Sequence, residues 1–309
     1  MSAHVTISLD ELVLLQAEAR GFSFLPRQPV HSLLSGRHAS RLRGRGLAFE
    51  EMRPYQQGDD VRTIDWRATA RLRSPQVRVY TEERERPVLL VVDQRAAMFF
   101  GSRRAMKSVT AAEVAALGAW RTLQSGDRVG AIIFNDDEII KLRPQRSQTA
   151  VLRILHEVVR HNHALTEPSD GSGGITLNHA LEAAARRATH DHLVVVISDL
   201  DGADETTQRL ATQLAAHNDV LIAAIYDPLG ASLQNHPGMI AATTGGHVAL
   251  PADPRFPDAF QQAFTAVLDK WREIFRGIRV PVLPISTAES PARQLRDLFG
   301  ETAKNQQAR

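Results

Sequence analysis

Two kinds of hydrophobic pattern divide the chain. From residue 87 onward, short apolar runs alternate with amphipathic segments, and the runs PVLLVVD (87–93) and HLVVVISD (192–199) each end in a carboxylate. Such runs are typical of buried parallel strands. Before residue 87 the pattern is broken by Gly, Pro and Arg, apart from a helix predicted over 9–20, where Ser8 and Glu11 have capping-box spacing.

The second part predicts a regular alternation of strands and helices. We expect further strands over 127–135, 138–142, 219–226, 247–250 and 280–285, and helices over 107–124, 147–161, 177–189, 204–218, 258–276 and 291–299. The Asp-Asp turn at 136–137 is too short for a crossover, so its two strands are predicted to be antiparallel. The fold class is therefore α/β, with a doubly wound, Rossmann-like and mostly parallel sheet that has one antiparallel edge strand. An N-terminal helix and a strand and loop segment precede it.

Composition sets the expected domains and compartment. We predict an N-terminal helix and Arg-rich segment over 1–86, an α/β domain over 87–300 and a polar tail over 301–309. The chain has no cysteine, which excludes disulfides and thiolate metal sites. No apolar run approaches the ~18 residues that span a bilayer, and the N-terminus has no basic region before its apolar patch. We therefore expect no membrane insertion and a cytoplasmic protein.

One long segment resembles a known family. Residues 44–71, GRGLAFEEMRPYQQGDDVRTIDWRATAR, are similar to the signature of the bacterial "domain of unknown function 58" family, and the likeness continues through GDRVG (126–130), ISD (197–199) and YDP (226–228). The resemblance implies a von Willebrand factor A-like (vWA) fold. It also implies a MoxR-type AAA+ ATPase as partner, because such ATPases are commonly encoded beside this family. It implies no known reaction.

The resemblance also implies a site at the carboxyl end of the sheet. vWA domains often bind a divalent cation, which prefers oxygen ligands, through Asp-x-Ser-x-Ser, a later Thr and a later Asp. Asp93, Thr176 and Asp199 correspond to three of these, whereas Arg95 and Ala97 replace the two hydroxyl ligands. We predict a degenerate, metal-free site without a cofactor, in which Arg95 is the counter-ion of Asp93 or Asp199. The alternatives are a weak Mg²⁺ site, or a solvated Arg95 with aspartates that cap helices.

The signature segment alternates carboxylates with arginines and contains two aromatic residues. Alternating acids and arginines can lock a loop through bidentate pairs, and Arg, Tyr and Trp are common at interface hot spots. The segment could brace the α/β domain, bind a partner, or do both. The candidate partner-binding residues are Arg53, Tyr55, Asp59, Asp60, Arg62, Asp65, Trp66 and Arg71.

Motifs that would indicate catalysis are incomplete. GSRRAMKS (101–108) resembles a phosphate-binding loop, but Met106 stands where glycine is needed, so we expect Lys107 to be solvated in the first turn of a helix. The histidines at 156, 161, 163, 190 and 192 do not form HExxH and are expected at the surface.

We therefore expect a protein-interaction module rather than an enzyme: a partner or adaptor of a MoxR-type AAA+ ATPase that acts on a client protein. Two alternatives stay open. One is nucleic-acid binding through the Arg-rich stretch 37–46. The other is a metal- or nucleotide-dependent enzyme at the carboxyl edge of the sheet.

Overall fold

The computed structural model describes residues 4–20, 47–82, 86–165, 174–228, 240–243, 246–249 and 280–304, with scattered positions between 255 and 278. The chain divides into a small unit, residues 27–85, and a large unit, residues 1–26 and 86–309. The Arg-rich stretch 37–46 lies outside the described residues.

In chain order the elements are α1 (Leu9–Glu18), β1 (Leu47–Pro54), α2 (Trp66–Leu72), β2 (Gln76–Glu82), β3 (Val88–Asp93), α3 (Lys107–Gln124), β4 (Val129–Phe134), β5 (Ile139–Gln145), α4 (Gln148–Ala164), α5 (Leu177–Arg187), β6 (Leu193–Ser198), α6 (Glu205–Ala215), β7 (Asp219–Tyr226), β8 (Ile240–Thr243), β9 (Gly246–Ala249), β10 (Val282–Ser286) and α7 (Pro291–Lys304).

A six-stranded sheet with the order β10-β7-β6-β3-β4-β5 forms the centre of the large unit. Its strands are parallel except β5, which pairs antiparallel with β4 as predicted. Strands β3, β4 and β6 are buried along their whole length, which is why they are continuous apolar runs. The prediction of an α/β, Rossmann-like fold is confirmed.

Helices cover both faces of this sheet. Side chains of α1, α3, α4 and α7 form one apolar core with it, and those of α5 and α6 form the other. Trp120 of α3 is fully buried, and its Nε1 donates to the carbonyl of Leu12 in α1 at 3.0 Å. The sheet is therefore doubly wound, because its two faces carry separate helical layers.

The N-terminal helix belongs to the large unit. Its capping box between Ser8 and Glu11 is present. The amide of Ile7 donates to Oδ1 of Asn162 in α4, and Nδ2 of Asn162 donates to Oε1 of Gln94, just after β3. The predicted division grouped this helix with the Arg-rich segment. In the structure this helix belongs to the large unit instead, because α1 packs on α3 and α4.

The small unit is built on an antiparallel pair of strands, β1 and β2, with an irregularity between Phe49 and Glu51. The sequence predicted only strands and loops here, but the chain forms the helix α2 after β1 and before β2. The Asp65 carboxylate caps this helix by accepting from the amides of Arg67 and Ala68. Capping allows a helix of only seven residues that has no continuous apolar face.

Three predictions near the C-terminus need revision or fall outside the described residues. The predicted strand 247–250 is β9, which pairs with β8 in a separate hairpin rather than in the main sheet. The predicted helix 291–299 ends too early, because α7 continues to Lys304. Only scattered positions of the predicted helix 258–276 are described. Within the described ranges, no helix is both long enough and apolar enough to cross a membrane.

Candidate functional site

The candidate site lies where the chain changes direction in the sheet. From β3 it crosses to β4 on one side, and β6 and β7 lie on the other. The crevice beyond the carboxyl ends at such a switch point is the usual ligand position in open α/β sheets. Asp93 at the end of β3 is fully buried, and the hydroxyl of Ser198 at the end of β6 donates to its Oδ2 at 2.7 Å.

Arg95 binds Asp93 in a bidentate ion pair. Its Nε lies 3.0 Å from Oδ1 and its Nη2 lies 2.7 Å from Oδ2, while its own backbone amide donates to Oδ1 at 3.0 Å. Nη2 also donates to the carbonyl of Asp201 at 3.1 Å, and the guanidinium carbon lies 5.5 Å from the centroid of the Phe134 ring. The arginine side chain is only 8% exposed, so the guanidinium is held inside the crevice.

Burial and the ion pair with Arg95 have opposite effects on the pKa of Asp93. Burial raises the pKa of the Asp93 carboxyl, and the guanidinium of Arg95 opposes that rise. Burial would lower the pKa of Arg95, but the surrounding carboxylates, Asp93 foremost, together outweigh this and raise it. Asp199 lies close enough to contribute to both effects, raising the pKa of Asp93 and that of Arg95. Arg95 therefore supplies the positive charge that a buried Asp93 carboxylate needs.

Lys107 and Asp199 form a second ion pair beside the first. Lys107 Nζ lies 2.5 Å from Asp199 Oδ2, and the lysine side chain is 15% exposed. The other carboxylate oxygen, Oδ1, accepts from the backbone amide of Asp201 at 2.9 Å. The prediction of a solvated Lys107 is therefore wrong. The helix α3 begins beside the end of β6, so its first side chain reaches the carboxylate that follows that strand.

Of the remaining positions of the implied metal site, Thr176 is used to cap a helix and Ala97 lacks a side-chain oxygen. Thr176 is exposed and caps α5, with its Oγ1 3.1 Å from Nδ1 of His179. Ala97 sits in a short 3₁₀ turn and offers no side-chain oxygen. Because cations also hold the oxygens of Asp93 and Asp199, this donor set does not suit a divalent ion. Among the described residues, no three His, Asp or Glu side chains are grouped to hold a metal.

Two further residues shape the crevice and were not singled out from the sequence. Ser198 binds Asp93, and the Asp136 carboxylate in the β4–β5 turn accepts from the amide of Ala96 at 2.7 Å. Asp136 was interpreted only as a turn residue. The signal for Ser198 was available, because a hydroxyl at the end of a buried apolar strand needs a polar partner.

A separate polar cluster lies one strand farther along the same edge. Asp227, which follows β7, is buried and accepts from the amide and the hydroxyl of Ser102 at 2.9 and 2.5 Å. The hydroxyl of Thr287 donates to the same carboxylate at 2.5 Å. These bonds tie the loop before α3 to the strands β7 and β10, so the YDP motif has a structural role in the large unit.

One histidine prediction is wrong. His161 of α4 is buried, with its Nδ1 2.7 Å from the carbonyl of Glu157, whereas a surface position was expected. The apolar face of α4, which includes Val151, Ile154 and Val158, continues through this position at helical spacing.

In the small unit, three of the eight signature residues, Arg53, Asp59 and Asp65, form ion pairs within the unit. The Arg53 guanidinium binds both carboxylate oxygens of Asp59 at 2.7 and 2.9 Å, and this hydrogen bonding lowers the pKa of Asp59 to about 2. Asp65 caps α2 and accepts from Arg78, and the Ala68 amide and the Arg78 guanidinium hold its pKa below its usual value.

The turn that precedes α2 is also held locally. Asp60 caps a 3₁₀ turn over Val61–Thr63 by accepting from the amide of Arg62. The backbone amide of Tyr55 donates to Pro75 at 2.8 Å, and its ring is half-buried. The acidic members of the signature are thus used within the unit itself.

The other signature residues point to solvent. Trp66 is 70% exposed at the start of α2, and Arg62 and Arg71 are exposed as well. Neither arginine forms an ion pair with any described residue. The signature therefore contains two groups with different roles: buried or paired acids that shape the unit, and an exposed aromatic and cationic surface.

Comparison with known proteins places the chain in a family. In fold, it is similar to a conserved hypothetical protein, BatB, from Bacteroides thetaiotaomicron, at a TM-score of 0.42 and 14% identity over 71% of this chain and 99% of that one. In sequence, it is 28% identical over 275 residues to uncharacterized proteins of Mycobacterium tuberculosis and Mycobacterium bovis, which covers 88% of this chain and 85% of theirs. Residues 51–267 match the family described as "Protein of unknown function DUF58". This chain belongs to the DUF58 family.

Proposed function

We propose that this protein is a non-catalytic interaction module that serves as a partner or adaptor of a MoxR-type AAA+ ATPase in the remodelling or maturation of a client protein. In this proposal the large unit is a vWA-like domain whose sheet-edge site carries no metal and no cofactor, and the protein acts in the cytoplasm. The ATPase is suggested by the resemblance of the signature segment, because such ATPases are commonly encoded beside this family.

The buried pair of Asp93 and Arg95 carries the non-catalytic part of the proposal. A carboxylate that transfers protons or binds a reacting group must reach the substrate. Asp93 is fully buried, and both of its oxygens accept from Arg95. In the neighbouring Asp199, one carboxylate oxygen pairs with Lys107 and the other accepts from the backbone amide of Asp201. A crevice whose acids are neutralised internally supports a binding scaffold better than a reactive centre.

The exposed part of the signature supports the binding role. Tryptophan and arginine are the residue types that most often dominate binding energy at protein interfaces. Trp66 exposes 70% of its surface, and Arg67 follows it on the same short helix, also exposed. The Asp65 carboxylate caps the N-terminus of this helix and binds Arg78 of β2, so the surface is pre-organised for a partner.

Co-purification with the ATPase encoded beside the gene tests the proposal. The wild-type protein is expected to associate with the ATPase, and the double variant Trp66→Ala with Arg71→Ala is expected to weaken this association by roughly tenfold or more. Leu14→Ala with Arg209→Ala is the matched control, because both side chains are exposed in the large unit. No association of the wild-type protein, with or without ATP, would contradict the proposal.

Two assays address the competing functions. A gel shift with DNA and RNA at low salt is expected to show no complex, whereas a complex that weakens steeply with salt would favour nucleic-acid binding. Hydrolase and nucleotidase screens are expected to show no turnover. Turnover that is abolished by Asp199→Asn would favour an enzyme.

A further inference from the structure

A basic groove lies at the opposite end of the sheet from β10, between the strand β5 and the first half of α4. It encloses a cavity of about 250 Å³, and its lining includes Lys141, Arg143, Gln145 and Arg153. β5 is an edge strand: within the described part of the chain, β4 is the one strand that pairs with it. A groove between an edge strand and a helix has the shape that an added peptide strand needs.

The lining of the groove selects for negative charge. Its three cations, Lys141, Arg143 and Arg153, are exposed and form no ion pair among the described residues. Among the residues that the structure describes, no carboxylate lines the groove, and the buried side chains of Leu142 and Ile154 contribute apolar surface. An anionic group with apolar neighbours is therefore the complementary ligand.

The spacing along β5 adds a requirement on the shape of the ligand. Lys141 and Arg143 are two residues apart, so they lie on the same face of the strand, and the buried Leu142 lies on the other face. A chain laid along this edge presents alternate side chains to the two cations. Acidic residues at every second position of an extended peptide match this pattern, and a compact anion does not.

We propose that the groove between β5 and α4 binds an extended acidic peptide segment of a partner protein, which adds to β5 as a further strand. The partner's backbone would pair with the free edge of β5, and its alternate carboxylates would lie beside Lys141 and Arg143. This inference rests on the proposed interaction role, but not on the identity of the ATPase or on the Trp66 surface.

Binding of synthetic peptides by fluorescence anisotropy tests the proposal on the full chain. The probe is a labelled peptide that alternates Glu and Val, and two further peptides carry either Gln in place of Glu or N-methyl groups on alternate backbone nitrogens. The wild-type protein is expected to bind the Glu peptide and to bind each of the others roughly tenfold or more weakly. Equal binding of the N-methylated peptide would contradict the proposal that the peptide pairs with β5 as an added strand.

Variants of the groove complete the test. Lys141→Glu with Arg143→Glu is expected to weaken binding of the Glu peptide by at least about tenfold, whereas Arg209→Glu on α6 leaves it unchanged. Arg143→Gln is the second variant, expected to weaken binding several-fold, in case the charge reversal does not fold. If inorganic pyrophosphate or a single-stranded oligonucleotide displaces the Glu peptide and binds as tightly, the proposal is wrong.

Two outcomes separate this inference from other roles of the same residues. Charges on an edge strand can serve only to prevent self-pairing. If the charge-reversed variant associates with itself while the wild-type protein binds no peptide, that role replaces the proposal. If the Trp66 variant still binds the ATPase and also binds the peptide, the proposed ATPase surface is wrong. The proposal for the groove is then still supported.

Discussion

Arg95 and Asp93 are two residues apart in the chain, and the guanidinium of the first lies along the carboxylate of the second, with both bonds at or below 3.0 Å. The pair is buried at the carboxyl end of β3. In a buried pair each charge offsets the desolvation of the other, so removal of one partner leaves an uncompensated charge. This relationship contributes to the stability of the crevice and makes the Asp93 carboxylate unavailable to a ligand.

Removal of the guanidinium should destabilise the protein in a pH-dependent way. Arg95→Met is expected to lower the free energy of unfolding by roughly 3 kcal/mol at neutral pH. Without the Arg95 guanidinium, only the hydrogen bond from Ser198 and weaker effects oppose burial, which then raises the pKa of Asp93 further above its unfolded value. A group whose folded pKa is raised binds more protons in the folded state, so the deficit grows as pH rises and shrinks in acid. Urea unfolding at several pH values measures this.

The matched control removes both charges. Asp93→Asn with Arg95→Met is expected to recover much of the stability that the single variant loses, because no buried charge is then left alone. The double variant should also lose the added pH dependence. A double variant that is as unstable as the sum of the two single variants would show that the ion pair contributes little.

Gly130 in β4 should not tolerate a side chain. A Cβ at this position would lie 2.7 Å from the carbonyl oxygen of Leu142 and from the nitrogen of Pro144, both backbone atoms of β5. Gly130→Ala is therefore expected to lower the free energy of unfolding by roughly 2 kcal/mol or more. Gly174→Ala is the control, because no atom lies within 4 Å of its added Cβ. Similar effects of the two substitutions on thermal unfolding would contradict the β4–β5 register.

The Arg53–Asp59 pair should make the small unit sensitive to acid. The pKa of Asp59 falls from 3.8 to about 2. A lowered pKa stabilises the folded state above the unfolded value, and this contribution is lost as pH falls from about 4 toward 2. The protection factors of the amides in residues 53–59, which correct hydrogen exchange for its intrinsic pH dependence, should fall over that range. Asp59→Asn and Arg53→Gln should each remove the effect, and an unchanged pH profile in both would refute it.

Substitution of Trp120 should cost the protein much more stability than substitution of Trp66. Trp120 is fully buried, so Trp120→Ala is expected to lower the free energy of unfolding by roughly 3–5 kcal/mol. Trp66 is 70% exposed, so Trp66→Ala should stay within about 0.5 kcal/mol of the wild-type value. A large loss of stability in Trp66→Ala, seen in urea unfolding, would mean that the side chain braces the fold rather than faces a partner.

Much of the fold was predictable because local pattern and burial agree. The bounds of α3 and β7 match the predicted ranges, and α6 lies within the predicted helix 204–218. The short helix α2 was not predicted, because its arginines and exposed Trp66 form no apolar stripe. Its signal was the cap at Asp65, which was interpreted only as a member of an acid–arginine alternation.

The site was less predictable because its contacts join residues that are distant in sequence. Arg95 and Asp93 are close neighbours, and their pairing was among the predictions. The pairing of Lys107 with Asp199 spans 92 residues and depends on where α3 begins relative to β6. No local pattern contains that information. His161 differs, because the apolar stripe of α4 already indicated a buried position.

The central claim is that a guanidinium takes the place of a metal ion at the carboxyl end of the sheet. Titration of the purified protein with Mg²⁺ and Mn²⁺ in a calorimeter tests this most directly. The account predicts no heat of binding at micromolar metal, both for the wild-type protein and for Asp93→Ala. Micromolar binding by the wild-type protein that disappears in Asp93→Ala would contradict it.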